Sequence, residues 1–322
     1  MIEVAGLCKT YRVPVRTPGL GGAFRSLFSR EVKEVHAVSD LHFRIAAGER
    51  VGFLGPNGAG KTTTLKMLSG LLYPTSGTLK VGGFVPQERH PSFLQQITLV
   101  MGQKQQLLWD LPAIESFELN RAMYGVELAE FRRTLDELVA MLRAEPLLQK
   151  PVRNLSLGER MKCELIAALV HRPSVLFLDE PTIGLDVEMQ VQVRQFIAEH
   201  NRSTGATVLL TSHYMQDIAA LTPRLLIIDQ GRLRYDGDLE ALSREVAPER
   251  RVVIRSMVPQ LLPLGFLPQG DGMVATVPAG ETNALIQRTL AVAPLVELGV
   301  EVPPLEEIIG RVFREGRPRS EA

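Results

Sequence analysis

Arg50-Val51-Gly52-Phe53-Leu54-Gly55-Pro56-Asn57-Gly58-Ala59-Gly60-Lys61-Thr62-Thr63 reads as an apolar strand, a glycine loop and the opening of a helix that runs to Leu71. From Gly55 to Thr62 the loop fits G-x-x-x-x-G-K-T, in the strand–loop–helix setting that this pattern requires. Its glycines let the chain curl so that successive backbone N–H groups converge on phosphate oxygens, and the following helix adds its positive N-terminal end. Lys61 is placed to reach the outer phosphates and the Thr62 hydroxyl to ligate Mg²⁺. The competing interpretation, a chance glycine turn, does not account for the flanking strand and helix.

Further along, Val175-Leu176-Phe177-Leu178 is a nearly all-apolar strand closed by Asp179-Glu180. A second such strand, Thr207 to Leu210, follows a helical stretch from Val187 to Asn201, and the three make a βαβ unit whose strands are covered on both faces. Asp179 is suited to hold Mg²⁺, directly or through water, and Glu180 to polarise an attacking water. His213 stands just beyond the second strand. Leu111 to Leu148 is helical in pattern, and Leu225–Asp229 with Arg232–Tyr235 reads as a hairpin around Gln230-Gly231. The stretch from Arg12 to Val35, rich in Pro, Gly, Arg and Ser, reads as irregular.

The chain has 322 residues, enough for one large domain and a small one. Lys+Arg and Asp+Glu balance at 36 each, so no global charge argues for nucleic acid, and none is expected as a partner. Cys8 and Cys163 are far apart and lack metal-site spacing, which suits reduced thiols. The N-terminus has no basic-then-apolar leader, and no uninterrupted apolar run approaches the ~18 residues that span a bilayer. If the protein serves transport, other chains must supply the path. After about Ala247 the strands Arg251–Arg255, Gly272–Val277 and Val296–Val302, with helices Thr282–Val292 and Pro304–Arg314, suggest a small separate α+β domain.

One more segment narrows the class. Leu155-Ser156-Leu157-Gly158-Glu159 opens a helix just ahead of the strand ending in Asp179-Glu180, and together with the glycine loop this resembles the ABC ATPases over roughly Ile2 to Leu242. The resemblance implies an α/β P-loop NTPase fold over 1–246, with a RecA-like core, an antiparallel β subdomain and a helical subdomain at about 109–172, and an accessory domain at 247–322. It implies ATP and Mg²⁺ as ligands. Tyr11 matches the aromatic that stacks on adenine; the alternative is a strand-end tyrosine packed in the core. Gln103 resembles the glutamine that joins Mg²⁺ and the attacking water to the membrane-facing helices, and His213 the switch histidine that contacts the γ-phosphate. Ile183-Gly184-Leu185-Asp186 resembles the D-loop. Ser156 is implied to donate to the γ-phosphate of an ATP held by a second ATPase subunit, expected to be another copy, with Gly158 keeping bulk away from it. Leu157 departs from the usual glycine.

Gly70-Leu71-Leu72-Tyr73-Pro74-Thr75-Ser76-Gly77, Thr211-Ser212-His213-Tyr214-Met215 and Trp109-Asp110-Leu111-Pro112 are similar to the bacterial multidrug and ABC-2-like exporter branch. That implies an ATPase subunit driving separate integral-membrane permease subunits from the cytoplasmic face of the inner membrane. The alternative is a non-transport ABC ATPase of repair, translation or assembly; no long coiled coil and no second ATPase domain in the chain speaks for it. The insertion Gly19 to Lys33 places Phe24, Leu27 and Phe28 beside Arg25, Arg30 and Lys33. It reads either as a short amphipathic helix on membrane or permease, or as a solvated loop.

Overall fold

The computed structural model describes residues 1–14, 32–102, 105–256, 259, 262–263 and 265–315; Gln103 and the insertion as far as residue 31 lie outside them. Internal packing divides the chain into two units, Met1–Asp236 and Gly237–Ala322. In the first, the strands are β1 (Ile2–Pro14), β2 (Val32–Ile45), β3 (Arg50–Leu54), β4 (Ser76–Val81), β5 (Ile97–Met101), β6 (Val175–Asp179), β7 (Thr207–Thr211), β8 (Arg224–Asp229) and β9 (Arg232–Asp238). Its helices are α1 (Lys61–Leu68), α2 (Pro91–Leu94), α3 (Ala113–Tyr124), α4 (Leu128–Leu142), α5 (Leu157–Leu169), α6 (Val187–Thr204) and α7 (Met215–Leu221).

Six strands form one sheet in the order β5-β6-β7-β3-β8-β9. The neighbours from β5 to β8 run parallel. Every residue of β6 and β7 is buried, which is why both read as unbroken apolar runs. This order sets the carboxyl ends of β3, β7 and β6 side by side, although β3 lies more than 100 residues upstream of β6. In open α/β sheets that edge is where ligands bind. The turn from β8 to β9 has positive φ at both Gln230 (48°) and Gly231 (76°), the geometry of a two-residue hairpin.

A second, three-stranded sheet has the order β2-β1-β4 and is antiparallel. Ile2, Leu7 and Leu41 from it share one core with Phe53, Leu65, Phe177 and Leu209, so the two sheets stand or fall together. Each such side chain contributes about 1.5–3 kcal/mol by its burial. The antiparallel strands reach further than the sequence suggests. Residues 12–14 pair with 32–34 as a solvated ribbon, clipped by Arg12 Nε to Glu34 Oε1 at 3.1 Å, and its exposure on both faces erased the alternation that marks a half-buried strand. The helical stretch 111–148 is two helices. Gly125, at φ 66°, ends α3, and the Glu127 carboxylate accepts from Ala129 N–H at 2.7 Å to start α4.

In the second unit β10 (Glu249–Ser256), β11 (Leu267–Gln269), β12 (Gly272–Pro278) and β13 (Leu295–Glu301) form an antiparallel sheet ordered β11-β12-β10-β13. Its core gathers Val252, Ile254, Phe266 and Ala275 under Leu285 of α9 (Thr282–Val292). Helix α8 (Leu239–Val246), which the sequence reading placed with the first domain, packs on α10 (Leu305–Glu315). Arg311 of α10 secures that contact through Val246 O and Glu249, which moves the division ten residues upstream of 246.

Burial also sets an acid limit on the fold. His200 of α6 is 4% exposed, its Nε2 has no partner among the described residues, and desolvation lowers its pKa from 6.5 to about 4. His171, half-buried and stacked on Tyr124, is likewise lowered to about 4 by desolvation. Because the unfolded chain takes up these protons first, the stability they underwrite is complete above pH 6.5 and is lost as pH falls towards 4. In urea titrations between about pH 4.5 and 6, His200→Gln should flatten the dependence of stability on pH by about 1.4 kcal/mol per pH unit. An unchanged slope would contradict the buried neutral imidazole.

Candidate active site

The loop after β3 closes tightly on its neighbours. A Cβ at Gly55 would lie 2.3 Å from Ile228 O, and Gly60, at φ 106°, would place one 2.4 Å from Ala37 O, so neither position admits another residue without moving backbone. Gly60 caps α1 without a side-chain acceptor, which leaves the first N–H groups of the helix for an anion. Lys61 is buried and its Nζ donates to Gly55 O at 2.6 Å and Pro56 O at 3.1 Å. Burial lowers its pKa, while Glu180 and Asp179 work in the opposite direction. The lysine is thus held inside the loop, poised for phosphate.

The end of β6 meets this loop. Asp179 accepts from the Thr62 hydroxyl on Oδ2 at 2.9 Å and from the Thr211 hydroxyl on Oδ1 at 2.6 Å. Thr211 Oγ1 in turn accepts from Glu180 N–H at 3.1 Å, so one hydroxyl fixes both acidic residues. Glu180 has φ 56°, a left-handed conformation that costs a non-glycine residue about 1–2 kcal/mol. Its carboxylate pairs with His213, Oε1 to Nε2, at 2.7 Å. Gly102 supports the same corner: its N–H donates to Asp179 O at 2.9 Å, and a Cβ there would lie 2.1 Å from Glu180 O.

So the structure brings Lys61, Thr62, Asp179, Glu180 and His213 together. Thr211 and Gly102 were missed. The in-register pairing of Asp179 with Thr211 is the signal for the first, and it exists only once the strands are placed. Gly102 sits immediately before Gln103, the expected glutamine, which is outside the described residues.

The remaining expected residues lie on other surfaces. Ser156 caps α5: its Oγ accepts from Glu159 N–H at 3.2 Å, and Glu159 Oε2 accepts from Ser156 N–H at 2.8 Å. That backbone bond, with Lys150 at 3.1 Å, holds the Glu159 pKa below its ordinary value. Since Ser156 Oγ is used as an acceptor, its own proton is left to donate outward. Gly158 is buried rather than facing open space; a Cβ there would meet Met189 Cγ at 2.8 Å, so its requirement is packing on α6. Asp186 caps α6, accepting from Met189 N–H at 2.8 Å. Leu157, 38% exposed, reaches back to Gly184. Tyr11 is exposed opposite Val35, with Lys9 Nζ 5.2 Å from its ring centroid, which excludes the core alternative.

Comparison with known proteins fixes the family. The model for "ABC transporter" matches residues 38–183. The ABC transporter ATP-binding protein NatA of Bacillus subtilis (strain 168) is 34% identical over 215 residues, covering 67% of this chain and 87% of that protein. The chain belongs to the ABC transporter ATP-binding family. The daunorubicin resistance ATP-binding protein DrrA3 of Streptomyces coeruleorubidus is 32% identical over 304 residues, 89% of this chain and 94% of that protein. A solved structure of an ATP-binding subunit of an ABC transporter shares the fold, with TM-score 0.63 and 24% identity over 76% of this chain and 92% of its own. As an ABC ATPase, the chain binds and hydrolyses ATP.

The Thr211 hydroxyl is the test of how this corner works. Thr211→Val keeps the shape of the buried side chain and removes the bond to Asp179 and one of the two acceptors of Glu180 N–H, leaving the Thr211 carbonyl at 3.1 Å. We expect kcat for ATP hydrolysis to fall by about 10–100-fold while KM moves by less than about threefold. A parental kcat would show that the acidic pair is held by other means.

Proposed function

We propose that two copies of this chain close around two ATP molecules and so drive a separate exporter permease, at the cytoplasmic face of the inner membrane. The observation that carries this reading is the division of phosphate-facing groups. Lys61, Thr62, Asp179, Glu180 and His213 gather at one sheet edge, while Ser156 and the start of α5 present a second, separately built donor set. The resemblance to ABC ATPases assigns that second set to the ATP of the other subunit.

Within one subunit, the α1 N-terminus and Lys61 bind the phosphates, the lysine exchanging two loop carbonyls for phosphate oxygens. Thr62 and Asp179 offer hard oxygen ligands already 2.9 Å apart, a set that fits Mg²⁺ completed by phosphate and water. When bound there, Mg²⁺ would offset charge on the phosphates. Glu180 accepts a proton from the attacking water as the water oxygen bonds to the γ-phosphorus and the bond to the β–γ bridging oxygen breaks. His213, paired with Glu180, is within reach of the same place and donates to the γ-phosphate. Contacts from two subunits to one ATP make ATP the differential ligand for closure, and loss of the γ-phosphate removes it.

Permease docking is supported by a groove of about 710 Å³ in the first unit, lined by Leu71, Leu94, Met101, Gln105, Met123 and Tyr124. Leu71 is 57% and Met123 64% exposed, and the groove adjoins the chain just past Gln103. No helix among the described residues is long and apolar enough to cross a membrane, so the path belongs to the permease in this reading. Outward transport is supported by the relative named for daunorubicin resistance, which aligns over both units of the chain.

Glu180→Gln removes the proton acceptor and leaves the phosphate-binding groups in place. With Mg²⁺ and ATP this variant should run as a dimer in light scattering and should lose more than about 100-fold in turnover. Retained hydrolysis, or a monomer at saturating ATP, would contradict the proposal.

A further inference from the structure

Asp217, the third residue of α7, is completely buried and plays no part in the nucleotide chemistry described so far. A carboxylate so placed is tolerated only when fully paired. Its Oδ1 accepts from Arg194 Nη1 of α6 at 2.8 Å, and the Arg194 side chain is 11% exposed. Its Oδ2 accepts from the Ser212 hydroxyl at 2.6 Å and from the Thr182 hydroxyl. Both of those residues are buried as well.

The two hydroxyls come from the two loops that carry the reactive pair. Thr182 lies two residues beyond Glu180, at the end of β6; Ile183 N–H returns to Glu180 O at 3.2 Å and closes that turn. Ser212 immediately precedes His213, at the end of β7. Ser212 Oγ also accepts from Tyr214 N–H at 3.0 Å, and Asp217 N–H donates to Tyr214 O at 3.0 Å, so the backbone is held on both sides of His213. Glu180 and His213 themselves sit on the rim, with side chains 20% and 44% exposed. Their 2.7 Å pairing depends on how the two loops are set against each other.

The geometry points to Asp217 as the positioning residue of ATP hydrolysis, a single carboxylate that ties the Glu180 loop to the His213 loop. Arg194 is its counter-charge, 2.8 Å away, and anchors the clamp to α6. Through Thr182 the same carboxylate holds the entry to Ile183-Gly184-Leu185-Asp186, so the loop expected to face a second subunit moves with the hydrolytic pair. The inference rests on the assignment of Glu180 and His213 under the proposed function.

The test is Asp217→Asn in the full chain, assayed with Mg²⁺ and ATP and followed by the imidazole resonance of His213 in histidine-labelled protein. Asparagine keeps the shape and places an NH₂ where a donor is already present. We expect kcat to fall by about 10–100-fold with KM within about threefold, and the His213 resonance to move as it does in Glu180→Gln. Thr182→Val, which keeps the shape of that side chain, removes one bond to Asp217 and leaves the buried ion pair, should move the same resonance and lower kcat less; it decides the matter if the first variant does not fold. An unmoved His213 resonance, or a kcat within about twofold of the parent in a folded variant, overturns the role of Asp217. His213→Ala serves as the control: full activity there overturns the assignment of the pair itself, separately from its clamp.

Discussion

Everything in this site is arranged around one carboxylate at the end of a buried strand. Asp179 sits at the carboxyl end of β6 and accepts one hydroxyl from α1 and another from β7. Three segments distant in sequence are therefore joined by two hydrogen bonds to one carboxyl group. The sheet order makes this possible, because β7 lies between β3 and β6 and delivers Thr211 to the gap. The shared core of Phe53, Phe177 and Leu209 fixes the strand ends from below. Glu180 inherits its position from the same junction: its N–H is bound to Thr211, and its left-handed backbone is accommodated because Gly102 has no Cβ.

The far side of the chemistry is built on a different principle. Ser156 and Glu159 satisfy each other's backbone groups in a capping box, which stabilises a helix start by about 1 kcal/mol without any ligand. The α5 N-terminus is therefore shaped before it meets phosphate, and Gly158 serves its packing on Met189. A preformed donor set costs little ordering entropy when an ATP arrives from outside. In the proposed dimer each subunit would carry both halves of a composite site, and the halves are stabilised independently within the chain.

Much of this was legible in the sequence because it is local. The glycine loop, the apolar strands before Asp179 and before His213, and the Ser156 cap announce themselves in consecutive residues. What escaped depends on contacts between distant segments. β5 and the short helix α7 carry no strong periodic signal, so Gly102 and Asp217 had no setting in which to be noticed. Thr211 reads as the polar end of an apolar strand until its register with Asp179 is known. The β1–β2 ribbon failed for the opposite reason: its pairing is regular, but with both faces in water no apolar alternation marks it.

The central claim is that an ATP held by one subunit needs Ser156 of another. Mixing two damaged chains tests it most directly: Lys61→Ala, which spoils phosphate binding, and Ser156→Arg, which blocks the cap. Each alone should be inactive, and the mixture should hydrolyse ATP, because the heterodimer contains one site with an intact Lys61 from one chain and an intact Ser156 from the other. A mixture as inactive as its components, or Ser156→Arg active by itself, would contradict the account.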